Sequence, residues 1–126
     1  MDSFRVRTSR KVEILDITSE VSRRLKPGSL RALFTPHTTA AITINEFGPG
    51  MKADYERFHS SIVKEKGWRH KSVESNAEAH LLSSLIKPSI SIPIEGGSLA
   101  LGTWQKILLV ELDGPRTRTV GMQVIK

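Results

Sequence analysis

The chain has 126 residues, no cysteine, 38% hydrophobic residues and a net charge of +6. That length suits a single domain spanning residues 1–126 with its own core, and without cysteine there are no disulfides and any metal must be held by His, Asp or Glu. The charged start Met1–Arg7 is not a signal segment and the longest apolar run, Ile107–Val110, is far short of a membrane span, so the expectation is a cytoplasmic protein.

Phe4, Val6 and Thr8, then Val12 and Ile14, alternate with charged residues, as half-buried antiparallel strands do. Thr18-Ser19 can cap a short helix through Leu25, stopped by Pro27-Gly28. Leu30–Phe34 reads as a strand, and Thr38–Asn45 as another after Pro36. Past the breaker Phe47-Gly48-Pro49-Gly50, apolar residues at Met51, Tyr55, Phe58 and Ile62 mark one face of a helix to about Lys66. A polar loop from Trp68 to Glu74 leads to Ser75-Asn76-Ala77-Glu78, a capping box opening a helix that runs through Leu85 and stops before Pro88. Ser89–Ile94 and Leu99–Leu101 are strands joined by a Gly96-Gly97 hairpin, followed by a strand over Lys106–Leu112. After the turn Asp113-Gly114-Pro115-Arg116, Val120, Met122 and Val124 alternate in the last strand. Strands and helices are grouped rather than alternating. This predicts one α+β domain with mainly antiparallel sheets in a sandwich-like arrangement and two principal helices.

The stretch Thr35-Pro36-His37-Thr38-Thr39-Ala40-Ala41-Ile42-Thr43-Ile44-Asn45-Glu46 carries chemistry at both ends of one strand, which points to a pocket. His80 lies one helical turn after Asn76, where the free N–H groups of a helix start can hold an anion or a water. The same pair also suits a cap and a partly buried histidine. His59 reads as a surface or boundary residue. His37, His70 and His80 together could make a three-nitrogen metal site with an open position, although their spacing is no local metal motif. Glu111 ends a strand that is apolar on both faces. It is either paired with Arg116 or Arg118, or it is a general acid or base or a group that orients a metal-bound histidine. Trp104 can form core or a stacking wall, Gln105 can read a ring edge, and Arg116 suits bidentate phosphate binding. The basic balance favours an anionic partner, nucleic acid or a phosphorylated small molecule; a merely solvated surface accounts for it equally well. Nucleic acid ranks last, because no recognisable module is present and aromatic residues are not interleaved with basic ones.

Several of these segments, in order, resemble the YjbQ family, whose members are described as secondary thiamine-phosphate synthases. The matching residues are His37-Thr38-Thr39-Ala40 with Asn45-Glu46, Trp68-Arg69-His70, Asn76-Ala77 with Ala79-His80-Leu81, Leu99–Gln105 and Glu111–Arg116. They span nearly the whole chain. The resemblance implies a small α+β homotrimer with sites near subunit contacts. It also implies an activity joining a hydroxymethylpyrimidine diphosphate to a thiazole phosphate with release of pyrophosphate. His37, Glu46, His80 and Glu111 would be catalytic, and Thr38, Thr39, Asn76, Trp104, Gln105 and Arg116 would bind substrate or phosphate. The alternative is a metal-dependent hydrolase or other metalloenzyme on His37, His70 and His80, with zinc or magnesium; a non-enzymatic binder of phosphorylated ligand or nucleic acid comes third. The chain departs from the family's pattern at Lys71-Ser72-Val73-Glu74-Ser75, where members usually carry an Asn- and acid-rich stretch with glycines. A strand from Thr38 to Asn45 spans roughly 25 Å at ~3.3 Å per residue, so Glu46 would have to reach the His37 end from a neighbouring subunit.

Overall fold

The computed structural model describes residues 1–63, 68 and 76–126. Its strands are β1 (Asp2–Arg7), β2 (Glu13–Asp16), β3 (Leu30–Phe34), β4 (Ala40–Asn45), β5 (Ser89–Glu95), β6 (Ser98–Leu99), β7 (Lys106–Glu111) and β8 (Thr117–Ile125). Its helices are α1 (Thr18–Arg23), α2 (Pro49–Val63) and α3 (Ala77–Ile86). One sheet runs β1-β8-β3-β5-β6 and the other β2-β7-β4, with every pairing antiparallel. This is the expected α+β sandwich.

β7 explains the layering. Its residues Ile107 and Leu109 join Leu33, Ile92, Val120 and Met122 of the larger sheet in one core, which α1 closes with Val21. Leu108 and Val110, on the opposite face, join Ala79 and Leu82 of α3 in a second core. A strand buried on both faces must be apolar on both. Glu111 falls on the face of Ile107 and Leu109, between the two sheets, by the two-residue period of the strand. The Gly96-Gly97 turn holds positive φ at both residues (57° and 79°), as a tight hairpin requires.

Four local expectations are corrected. Thr18 does not cap α1: Ile17 occupies the N-cap position, while Thr18 donates its hydroxyl and its amide N–H to Asp16 Oδ1 (2.6 and 3.0 Å). The strand after Pro36 begins at Ala40, because Thr38 and Thr39 form a turn. In α2 the predicted apolar stripe packs only in part: Tyr55 lies against the second core, but Phe58 is 59% exposed and Ile62 is exposed, whereas Glu56 and His59 are buried. Glu56 accepts hydrogen bonds from Ile14 N, Lys52 Nζ and Arg10 Nη2 (2.9, 2.6 and 2.8 Å), tying the helix to β2 through a satisfied carboxylate rather than through oil. His59 is therefore not a surface residue; it lies between Tyr55 and Phe58, with Nδ1 lacking a hydrogen-bond partner, and burial lowers its pKa. The cap expected at Ser75 lies outside the described residues; Asn76 stands at the N-cap position of α3 and makes no side-chain cap bond.

Candidate functional site

The expected site residues separate into two groups along β4. Register pairs Ala40 with Glu111 and Asn45 with Lys106. The two ends of β4 are therefore about 17 Å apart at ~3.3 Å per residue. At the Ala40 end lie His37, Thr38 and Thr39, the start of α3 with Asn76 and His80, and the β7–β8 turn with Glu111 and Arg116. At the other end lie Glu46, Trp104 and Gln105. There Glu46 is exposed, and Trp104, at 73% exposure, is not core. Gln105 Oε1 accepts from Gly102 N (2.7 Å) and closes its own turn.

At the Ala40 end the sheets are joined by a buried polar knot. Glu111 is fully buried and Arg118, from β8, is 3% exposed. The Arg118 guanidinium donates to both Glu111 oxygens, through Nε at 2.9 and 3.1 Å and through Nη2. Nη2 also donates to Thr39 Oγ1 and the Thr39 carbonyl (2.8 and 3.1 Å). Thr8 Oγ1 and Asp113 N complete the Glu111 carboxylate (2.7 and 3.1 Å). Of the readings open for Glu111, the geometry is that of the ion pair with Arg118. Thr39 is correspondingly turned toward that pair, and the residue is 6% exposed.

A second hub, Asp113, was not among the expected site residues, though it stands inside the quoted Asp113–Arg116 motif. Its carboxylate accepts from Asn76 Nδ2, Lys11 Nζ and Arg116 Nη2 (2.8, 3.1 and 3.0 Å). Burial pushes its pKa up, and the hydrogen bonds from Asn76, Lys11 and Arg116 outweigh that and hold it low. Asn76 thus links the start of α3 to the β7–β8 turn. Arg116 folds back on that turn, with Nε on the Asp113 carbonyl (2.7 Å).

His37 is placed by strand pairing. The β3–β8 ladder ends at Phe34 and Gly121, which leaves the Thr119 N–H without a β3 partner. The chain turns after Phe34, and His37 Nε2 accepts that N–H at 2.9 Å. A neutral imidazole has one acceptor nitrogen, so this contact assigns the proton to Nδ1 and makes His37 a donor there. Burial lowers its pKa, the Arg118 and Arg116 charges lower it further, and Glu111 opposes them; all but the last favour the neutral ring.

His37 and His80 line one cavity of about 550 Å³ between the β3–β4 connection and α3. Thr38, Ser83, Ser84 and Lys87 also line it. Ser83 Oγ donates to the Thr38 carbonyl (2.6 Å), which fixes the helix against the turn. Thr35, also in the lining, is 1% exposed and its hydroxyl has no hydrogen-bond partner. Among the described lining residues there is no carboxylate. The cavity thus offers hydroxyl, imidazole and ammonium donors, which suits an anionic ligand. Ser83, Ser84 and Lys87 were missed because neither their spacing nor their neighbours resemble a motif.

A divalent ion, zinc or magnesium, fits poorly with the described side chains. No three His, Asp or Glu residues converge as a cation site among them, and the lone pair His37 would offer is engaged by Thr119. His70, the third member of the expected set, lies outside the described residues.

A small two-sheet α+β domain with a donor-lined cavity between the β3–β4 turn and helix α3 is the class the geometry defines. The profile of the family described as UPF0047 protein YjbQ-like matches residues 2–126, and the chain belongs to that family. A UPF0047 protein of Archaeoglobus fulgidus is 46% identical over 117 residues, covering 91% of this chain and 93% of its own. UPF0047 protein YugU of Bacillus subtilis is 38% identical, with 94% of each chain covered. Among solved structures, a hypothetical protein from Aeropyrum pernix superposes with a TM-score of 0.90 at 43% identity, covering 97% of this chain and 95% of that one. An uncharacterized YjbQ/UPF0047 protein from Clostridium acetobutylicum gives 0.91 at 37% identity, covering 99% and 100%. Among the described residues no helix is long and apolar enough to cross a membrane.

Proposed function

We propose that this chain is a thiamine-phosphate-synthase-type transferase working at the His37–His80 cavity. It would join a hydroxymethylpyrimidine diphosphate to a thiazole phosphate. The observation that carries this reading is the cavity itself: about 550 Å³, lined by neutral and cationic donors, with no carboxylate among its described lining residues. A volume of this order accommodates a small phosphorylated heterocycle.

The chemistry suits such a lining. The lone pair of the thiazole nitrogen attacks the methylene carbon of the pyrimidine, a C–N bond forms, and the C–O bond to the diphosphate breaks. The bonding pair leaves with pyrophosphate, and no proton has to be removed from the attacking nitrogen. What the site must supply is positioning and stabilisation of developing negative charge. His37 Nδ1–H and His80 are the donors assigned to that task, with the hydroxyl of Thr38 binding a phosphate oxygen; Ser84 Oγ already donates to the Leu81 carbonyl (2.7 Å). Glu111, through Arg118, positions the turn that carries Thr39. The same reading makes the protein a cytoplasmic homotrimer, in which a neighbour's Glu46 and Trp104 would reach the cavity that their own subunit holds out of range.

The test is formation of thiamine phosphate and pyrophosphate from the two phosphorylated halves, followed chromatographically with and without magnesium. Turnover that falls at least tenfold in His80→Ala, with folding intact, supports the reading. Purified wild-type protein that forms no product under either condition refutes it.

A further inference from the structure

Helix α3 ends at Ile86, and the next residue, Lys87, has φ 96° and ψ 150°. That is glycine's territory, and a β-carbon there is strained. The surroundings dictate the conformation. Lys87 N donates to the Ser83 carbonyl (2.9 Å), Ile42 N donates to the Lys87 carbonyl (3.1 Å), and Thr35 N donates to the carbonyl of Pro88 (2.9 Å). The first bond closes the last turn of α3, and the other two fasten its end to β4 and to the β3–β4 connection, whichever side chain sits at position 87. Glycine would meet the same backbone demand without strain.

Lys87, an exposed residue, belongs to the lining of the cavity with His37 and His80. Among the described lining residues it alone carries a fixed formal charge. Thr35, whose buried hydroxyl is unpartnered, belongs to the same lining. We propose that Lys87 is the specificity-determining residue of the cavity, binding the most highly charged phosphoryl group of its ligand, so that diphosphates are held in preference to monophosphates and uncharged analogues. An ammonium on a flexible stem presents three donors without a fixed fork, which suits a group that shifts as it departs. The inference rests on the cavity reading proposed above and names the residue and ligand class within it.

The experiment is isothermal titration with inorganic pyrophosphate and, separately, inorganic phosphate, on wild type, Lys87→Gly, Lys87→Gln, Lys87→Arg and His80→Ala, with urea unfolding of the same proteins. Lys87→Gly is expected to unfold at higher urea than wild type yet bind pyrophosphate about tenfold more weakly, the loss of one charge-assisted hydrogen bond. Lys87→Gln should lose affinity similarly, and Lys87→Arg should keep most of it. Pyrophosphate should bind wild type more tightly than phosphate. If wild type and Lys87→Gly bind pyrophosphate equally while His80→Ala binds it weakly, Lys87 is excluded and the cavity reading survives. If wild type binds neither anion, the cavity reading falls and the inference with it. A Lys87→Gly protein less stable than wild type overturns the strain argument.

Discussion

Replacing Glu111 by Gln separates a carboxylate that does chemistry from one that holds sheets together. Glu111 is 0% exposed and its partner Arg118 3%. The substitution leaves the guanidinium buried against a neutral amide, whose NH2 takes the place of an acceptor oxygen that Thr8 Oγ1 or Arg118 Nε had donated to. Breaking a buried pair from one side costs about 3–5 kcal/mol. Gln keeps one acceptor oxygen, so the loss belongs at the lower end, about 3 kcal/mol, or on the order of 10 °C in Tm for a chain of this size. Urea unfolding followed by circular dichroism reads it directly. The double variant Glu111→Leu/Arg118→Met, which removes both charges, should recover most of the loss, a coupling that only a paired structural role produces. A Glu111→Gln protein with an unchanged unfolding midpoint would refute the reasoning, and lost turnover in that same protein would return Glu111 to the chemistry.

Four further outcomes follow from the geometry. Burial lowers the pKa of His59 below its usual 6.5, so in the window below 6.5 the unfolded chain takes up the proton before the native one: stability is full above the window and falls as the pH drops through it. His37 is shifted the same way, so the comparison is made in a His37→Gln background, where His59→Leu should flatten the fall in urea midpoint between about pH 7.5 and about pH 5; equal slopes would exclude His59 as the source. Glu56→Ala removes the acceptor of Ile14 N, Lys52 and Arg10 and should cost about 2–3 kcal/mol, with faster amide exchange in α2; unchanged exchange there contradicts the role given to Glu56. Nitrogen NMR of the histidine rings should find His37 protonated on Nδ1 and not on Nε2 near neutral pH, and an Nε2–H signal would dissolve the bond to Thr119. In the proposed trimer, a one-to-one mixture of His80→Ala and Glu46→Ala subunits, each inactive alone, should regain about one quarter of wild-type turnover if a site takes His80 from one subunit and Glu46 from another; no recovery in mixed trimers would place Glu46 outside the site.

What could be read from the chain depended on whether the signal was local. The hairpin at Gly96-Gly97, the strand Leu30–Phe34 and the doubly buried β7 are written in short-range residue choice, and all three form. The α2 face could not be read that way, because periodicity weighs only apolar residues. Glu56 is buried through partners 4 to 46 positions away. Thr39 looked like the start of a strand and a substrate hydroxyl; its actual partner, Arg118, lies 79 positions away. His37 stands out in the sequence, but its tautomer depends on where the β3–β8 ladder stops, a matter of register between distant segments. Lys87 gave no signal, since lysine is a common helix-end residue; only the pairing of α3 with β4 forces its positive φ.

The arrangement of charge bears on which reaction the fold can host. At the cavity end of the molecule the two buried carboxylates, Glu111 and Asp113, are each saturated by several donors, and His37 keeps its acceptor nitrogen on a backbone amide. A reaction that must abstract a proton needs a base with a vacant lone pair near the substrate, and none of these three groups offers one. A displacement in which a neutral ring nitrogen attacks carbon and pyrophosphate leaves makes no such demand; it needs donors facing the departing oxygens. The carboxylates are committed to closing the sandwich, and that commitment is what leaves the cavity wall free of negative charge among its described residues. On the reading proposed above, a transferase that expels an anion is a reaction these side chains can serve without rearranging the pairs that hold the two sheets together.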